Sequence, residues 1–131
     1  MTIEIDHIGL SVSDMAAAKA FYAAALAPLR MSLLMEFPGS VTGNADVAGF
    51  GADGKPFLWI SGGGKTSPHT HVAIRAETRA QVDAFYSAAL AAGGKENGGP
   101  GVREIYHPNY YGAFVLDPDG HNIEAVCHAP A

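Results

Sequence analysis

The sequence predicts an α+β fold in which two βαβββ modules pair into a half-open barrel with helices outside. Three observations predict it: an internal repeat, the same strand-then-helix pattern in each copy, and a tight hairpin turn at the same place in each. Asp6–Leu29 (DHIGLSVSDMAAAKAFYAAALAPL) and Thr70–Gly93 (THVAIRAETRAQVDAFYSAALAAG) align at a constant offset of 64 residues. That offset matches His7 with His71, Phe21 with Phe85, Tyr22 with Tyr86 and Leu26 with Leu90. Near the end of each copy Gly51–Ile60 (GADGKPFLWI) aligns with Asp117–Val126 (DPDGHNIEAV) at an offset of 66. Two alanine-rich helices can resemble one another by chance. A strand, a helix and a distant hairpin recurring in one order mark a duplicated unit.

The elements follow in order. Residues 3–12 and 71–76 alternate as strands do. Asp14 and Thr78 are good helix N-caps, and Thr78 with Gln81 fits a capping box. Ala18, Phe21, Tyr22, Ala25 and Leu26 lie at i, i+3, i+4, i+7 and i+8, one apolar helical face. Val82, Phe85, Tyr86, Ala89 and Leu90 repeat it. Pro28 ends the first helix and Gly93-Gly94 the second. Strands are then expected at Met31–Phe37, Val47–Phe50 and Pro56–Ser61 in the first half. In the second they fall near Lys95–Asn97, at Tyr110–Leu116 and at Asn122–His128. The last two of each half are joined by Asp-Gly turn chemistry, ADG in one and DPDG in the other. One domain spans 1–131, with a first module over 2–62 and a second over 68–128. Gly62-Gly63-Gly64 and Ser67-Pro68 link them. Open sheets leave concave inner faces, where a ligand would sit.

Composition narrows the function. The chain has 131 residues, 8 basic against 13 acidic, a formal charge of −5 and 48 % hydrophobic residues, enough for a packed core. The acidic balance and the lack of a basic stripe argue against nucleic acid as a partner. A single cysteine, Cys127, excludes an internal disulfide framework and a Cys-rich zinc site, and it reads as a small core residue. No charged start leads into an apolar signal segment, and no stretch is long enough to span a bilayer. A cytoplasmic protein without a membrane partner is expected.

Of the six histidines, His7 and His71 stand apart because they occupy matched positions in the repeat. Matched inward residues approach one another near a pseudo-two-fold axis. Two imidazoles on rigid strands plus one carboxylate make a three-ligand face for a divalent metal. Glu124 is the carboxylate, set in the otherwise apolar run Ile123, Ala125, Val126. There it costs desolvation energy unless paired or bound to a cation. On an edge strand the same glutamate would merely face solvent; His7, for its part, would be a strand-end histidine bonded to a backbone carbonyl. The segment Gly98–Asn109 (GGPGVREIYHPN) is long for a hairpin connection. It brings Arg103, Glu104, Tyr106 and His107 either to a pocket or to a plain surface loop. A simple register through the DPDG turn sets Phe114 opposite Glu124, with Gly112 and Tyr110 on the same face. His121, in the turn, is expected to be exposed.

The paired modules, the first-strand histidines, the FY-containing helices and the DPDG-x-x-x-E ending resemble the vicinal oxygen chelate superfamily. Its members include glyoxalase I, extradiol dioxygenases, fosfomycin-resistance transferases and bleomycin-resistance proteins. The resemblance covers about Thr2–His128. It implies that His7, His71 and Glu124 bind a divalent metal ion (Zn, Ni, Mn or Fe). It further implies a metal-dependent lyase or isomerase acting on a small oxygen-chelating substrate, with an extradiol-type dioxygenase as runner-up. The alternative is a non-catalytic binding or antibiotic-resistance protein of the bleomycin-resistance type.

The sequence departs from each pattern. The offset of 66 places Leu58 where glyoxalase I has a further carboxylate, so its proton-transfer base is missing. Phe114 replaces the tyrosine of the dioxygenase Tyr-x-x-Asp-Pro pattern, and Gly9 the usual threonine of fosfomycin transferases. Bleomycin-binding members typically lack the metal ligands that stand here. Acid–base chemistry then falls to His107 and Tyr110. A homodimer is expected, because open sheets have edges to cover.

Overall fold

Strand alternation and one apolar stripe per helix sort the chain into two similar halves. The computed structural model describes residues 3–131. Met1 and Thr2, where the expected first module begins, lie outside the described residues. The first half runs β1 (Ile8–Ser11), α1 (Met15–Leu26), a 3₁₀ turn (Ala27–Leu29), β2 (Ser32–Phe37), a one-turn helix α2 (Gly39–Thr42), β3 (Val47–Ala52) and β4 (Lys55–Ser61). The second runs β5 (His71–Arg75), α3 (Arg79–Ala91), β6 (Lys95–Glu96), β7 (Gly101–Val102), β8 (Tyr111–Leu116) and β9 (Asn122–Cys127). The sheets have the orders β1-β4-β3-β2 and β5-β9-β8-β6, with β7 also on β8, so no closed barrel forms among the described residues. In each sheet the first and last strands of the half pair in parallel, and the others antiparallel.

Both helices start where their caps dictate. The Asp14 carboxylate accepts from the Ala17 N–H, and Thr78 and Gln81 cap each other's backbone, each cap worth about 1 kcal/mol. Pro28 does not simply stop α1; it sits in the following 3₁₀ turn, which Arg30 closes in the left-handed region. The first strand is shorter than the alternation suggests. It starts at Ile8, and Ile3 and Ile5 are 96 % and 80 % exposed.

One face of each sheet meets the helices. Leu10, Val12, Ala48, Phe50, Leu58 and Ile60 join Val72, Ala113, Val115, Ile123 and Ala125 against Phe21, Tyr22, Leu26, Val82 and Phe85 in a continuous buried core. Each fully buried large side chain there contributes about 1.5–3 kcal/mol. Helix α1 packs against α3, so the two halves share this core. Phe21 and Tyr22 meet edge to face at 5.0 Å.

The registers correct the match of Leu58 with Glu124. Ile8 pairs with Leu58 on β4, whereas Val72 pairs with Ile123 on β9. Leu58 therefore corresponds to Ile123, both buried against the helices, and the counterpart of Glu124 is Trp59. The cause is a bulge. Phe50 pairs with Leu58 but Gly51 with Pro56, leaving Phe57 unmatched. A Cβ on Gly51 would lie 1.9 Å from the Lys55 carbonyl oxygen, so this crossing requires glycine. One extra residue reverses which face a strand residue takes. The first half still has no carboxylate at this position.

The DPDG turn brings a second correction. His121 is fully buried, not exposed. The turn folds back between the halves instead of projecting into water. Asp117, 3 % exposed, accepts from the Tyr22 hydroxyl (2.6 Å) and from the backbone N–H groups of Asp119 (2.9 Å) and His121 (2.8 Å). The Thr70 N–H donates to His121 Nδ1 at 2.9 Å, which leaves the ring proton on Nε2, pointing at the Ser11 carbonyl 3.3 Å away. Ser13 completes the latch, donating from its backbone and hydroxyl to Asp119.

Candidate functional site

Glu124 lies mid-strand on β9, on the face away from the helices, between Ala73 of β5 and Phe114 of β8. It is 1 % exposed. Its burial comes from the residues stacked around it. His71 Nε2 stands 2.9 Å from Oε1, and the Tyr110 hydroxyl donates to Oε2. Gly112 keeps the space open, since a Cβ there would come within 3.3 Å of both Oε2 and the Tyr110 ring. Burial first, and then the hydrogen bond to Glu124, push the Tyr110 phenol up to about 12. The hydroxyl thus holds its proton at Glu124 across the neutral range.

His7 does not join this group within the chain. Its Nδ1 lies 2.7 Å from Asp6 Oδ2, and its side chain is 58 % exposed. It lines a cleft between the β1 and β5 edges, with Phe57, Val72 and Ala73. Among the described residues no three His, Cys, Asp or Glu side chains gather about one point.

His107 lies beside the cluster. Its Nδ1 accepts the Asn109 N–H at 3.0 Å, so its Nε2 proton faces His128 Nδ1 at 2.8 Å. Both imidazoles meet the Tyr110 ring edge-on, at 5.5 and 5.4 Å, and Tyr106 packs on the same ring at 4.7 Å. His128 is not singled out by the sequence, although its even spacing from Glu124, just past the end of β9, is the signal available.

An imidazole and a buried carboxylate converging at 2.9 Å fit a divalent cation. Oxygen and nitrogen donors of this kind suit Zn, Mn, Fe or Ni, and a cation would offset the cost of holding Glu124 out of water.

The fold and this face define a class: paired strand–helix–meander units with a buried carboxylate and an imidazole on the open side of the second sheet. The chain belongs to the Glyoxalase/Bleomycin resistance protein/Dioxygenase superfamily, whose family model matches residues 4–125. Among solved structures it is similar to a glyoxalase/bleomycin resistance protein from Albidiferax ferrireducens, at 25 % identity and TM-score 0.75, covering 95 % of this chain and 98 % of that one. It is also similar in fold to the fosfomycin resistance protein FosX from Listeria monocytogenes in complex with Mn(II) and sulfate. That match has 18 % identity and TM-score 0.69 over 98 % of this chain and 95 % of that one. A glyoxalase I mutant from Zea mays matches at 25 % identity and TM-score 0.69, over 93 % of this chain but 46 % of that one. No curated protein matches the chain. Among the described residues no helix is long and apolar enough to cross a membrane.

Proposed function

We propose that the chain is a divalent-metal-dependent lyase or isomerase of this superfamily acting on a small oxygen-chelating substrate. His71 and Glu124 hold the cation, and His7 is supplied by a second copy in a homodimer. The observation that carries the reading is the buried Glu124, held between an imidazole and a phenol in the otherwise apolar run from Ile123 to Val126. The Mn(II) in FosX supports the choice of a divalent ion. The exposed His7, just before the edge strand β1, supports the two-copy arrangement. When bound, the cation polarises substrate oxygens as a Lewis acid. The chain's own residues do the rest. Tyr110 holds a proton at Glu124 Oε2, and His107, with its Nε2 proton directed at His128, is the second acid–base group. Trp59, stacked on Phe37 at 6.3 Å where a second carboxylate would stand, favours the alternative of a binding or resistance protein using an aromatic wall.

Metal analysis of untagged protein, with Mn(II) titration of single variants and sedimentation velocity, tests the reading. The unaltered protein is expected to bind one equivalent per chain and to sediment as a dimer. Glu124→Gln and His71→Ala should abolish binding, and His7→Ala should weaken it at least 10-fold, the scale of losing one ligand or its support. Tight binding by a monomer, unaffected by His7→Ala, would remove His7 from the site.

A further inference from the structure

Arg103 lies on the loop that precedes β8, and its surroundings are built for a guanidinium. Its Nη1 donates to the Gly101 carbonyl at 2.8 Å and its Nη2 to the Gly99 carbonyl at 2.7 Å. The Arg103 N–H donates to the Tyr110 carbonyl at 2.7 Å, which fixes the residue next to the phenol on Glu124. The guanidinium sits over the Phe114 ring, 5.4 Å from its centroid. A Cβ on Gly98 or on Gly101 would come within 3.2 Å of its nitrogens, so two glycines leave the room it occupies. Phe114 pairs directly with Glu124, and its ring lies 6.1 Å from that of His71. The cation is therefore held on the same face as His71 and Glu124, with one aromatic ring between.

Two neutral carbonyls orient a guanidinium but do not cancel its charge. No acidic side chain forms a salt bridge with Arg103 among the described residues, although the chain carries 13 of them. Of its five N–H donors, three remain for a ligand. A guanidinium fork of this kind matches carboxylate and phosphonate oxygens in a way a lysine does not.

We infer that Arg103 is the anion receptor of the site, so that the substrate is a small carboxylate or phosphonate whose other oxygens reach the His71–Glu124 centre. The inference rests on the functional reading above and deepens it by naming the substrate class. The geometry also sets the direction of binding. The anionic end lies on the Gly98–Arg103 side of Phe114, and the chelating oxygens lie on the His71 side.

Calorimetric titration with oxalate, methylphosphonate and neutral acetohydroxamic acid tests it, on Mn(II)-loaded and metal-free protein, for the unaltered chain, Arg103→Gln and Arg103→Lys. Arg103→Gln should weaken oxalate or methylphosphonate about 10- to 100-fold, the scale of charge-assisted hydrogen bonds. Acetohydroxamic acid and Mn(II) should bind within 2-fold of the unaltered protein, since neither uses the guanidinium. Arg103→Lys should recover part of the loss, and the anion that the unaltered protein binds more tightly names the substrate's charged group. Anion affinities unchanged in Arg103→Gln would overturn the inference, as would Mn(II) and all three probes weakening together in both variants. If Mn(II) fails to bind the unaltered protein, the metal reading falls alone. Anion binding to the metal-free protein that Arg103→Gln abolishes would then still support the receptor, and no anion binding there would overturn it.

Discussion

Replacing Asp117 by alanine should destabilise the whole molecule, because the residue ties its own turn in the second half to Tyr22 in the first. Its carboxylate receives three donors: the Tyr22 hydroxyl and the N–H groups of Asp119 and His121. Tyr22 and His121 are fully buried, so water cannot replace the lost acceptor. A buried donor left unpaired costs about 1–3 kcal/mol. With the Asp119 N–H partly relieved by solvent, the loss comes to about 3–5 kcal/mol. That is a large fraction of the roughly 5–15 kcal/mol that stabilises a domain. At about 4 °C per kcal/mol for a chain of this size, the melting temperature should fall by about 12–20 °C. Asp117→Asn is the matched control. Its carbonyl oxygen can take both backbone donors while its amide donates to the Tyr22 oxygen, so only the Tyr22 proton loses its acceptor, and the expected loss is about 1–3 kcal/mol. Urea titrations at neutral pH, followed by far-ultraviolet circular dichroism, measure both variants. An Asp117→Ala protein within about 1 kcal/mol of the unaltered one would refute the account of the latch.

Two other predictions concern the strand register and the phenols of Tyr22 and Tyr110. Leu58→Glu should cost more than about 4 kcal/mol because it drives a charge into the helix-facing core, whereas Trp59→Glu, on the opposite face, should cost about 1–2 kcal/mol. Equal losses in thermal melts would show the bulge at Phe57 to be misplaced. Burial and Asp117 hold the Tyr22 phenol above its ordinary value of 10, and burial and Glu124 hold Tyr110 up to about 12. A raised folded value means that folding favours the neutral phenol. That stabilisation is complete below the unfolded value and is lost as pH rises through about 12 for Tyr110. In a near-ultraviolet titration, Tyr110→Phe should remove one of five tyrosines from the late, alkaline part of the curve. Loss of a tyrosine that ionises at its ordinary value would contradict the Tyr110–Glu124 bond.

The elements with strong local signals were legible in the sequence. The apolar stripes of α1 and α3, their caps and the Asp-Gly turns all depend on residues close in sequence. The pairing of Phe114 with Glu124 follows from counting outward from a turn. What could not be read depends on contacts between distant segments. The bulge at Phe57 leaves no mark in composition, yet it moved the counterpart of Glu124 from Leu58 to Trp59. His121 reads as a turn residue, and only the packing of the turn against Thr70 and Ser11 buries it. At the site, Tyr110 and His71 both meet Glu124. His7 belongs to the same repeat position as His71, but the edge of a strand alone does not say which chain it faces. Arg103 was visible only as one of several polar residues on a loop. Its importance lies in two carbonyls and a ring that sequence order does not bring together.

The shared core and the open faces also record different histories of one duplication. On the helix-facing side the paired positions keep their chemistry: Ala48 and Ala113, Phe50 and Val115, Leu58 and Ile123, Ile60 and Ala125, all buried. On the other side they have parted: Gly49 and Phe114, Trp59 and Glu124, Ser61 and Val126. A core that both copies build together constrains each of them equally. A face needed only once leaves its twin free to diverge. Duplication thus gave this chain two copies of a scaffold and a single polar centre, with the other copy's open side released to become an aromatic wall.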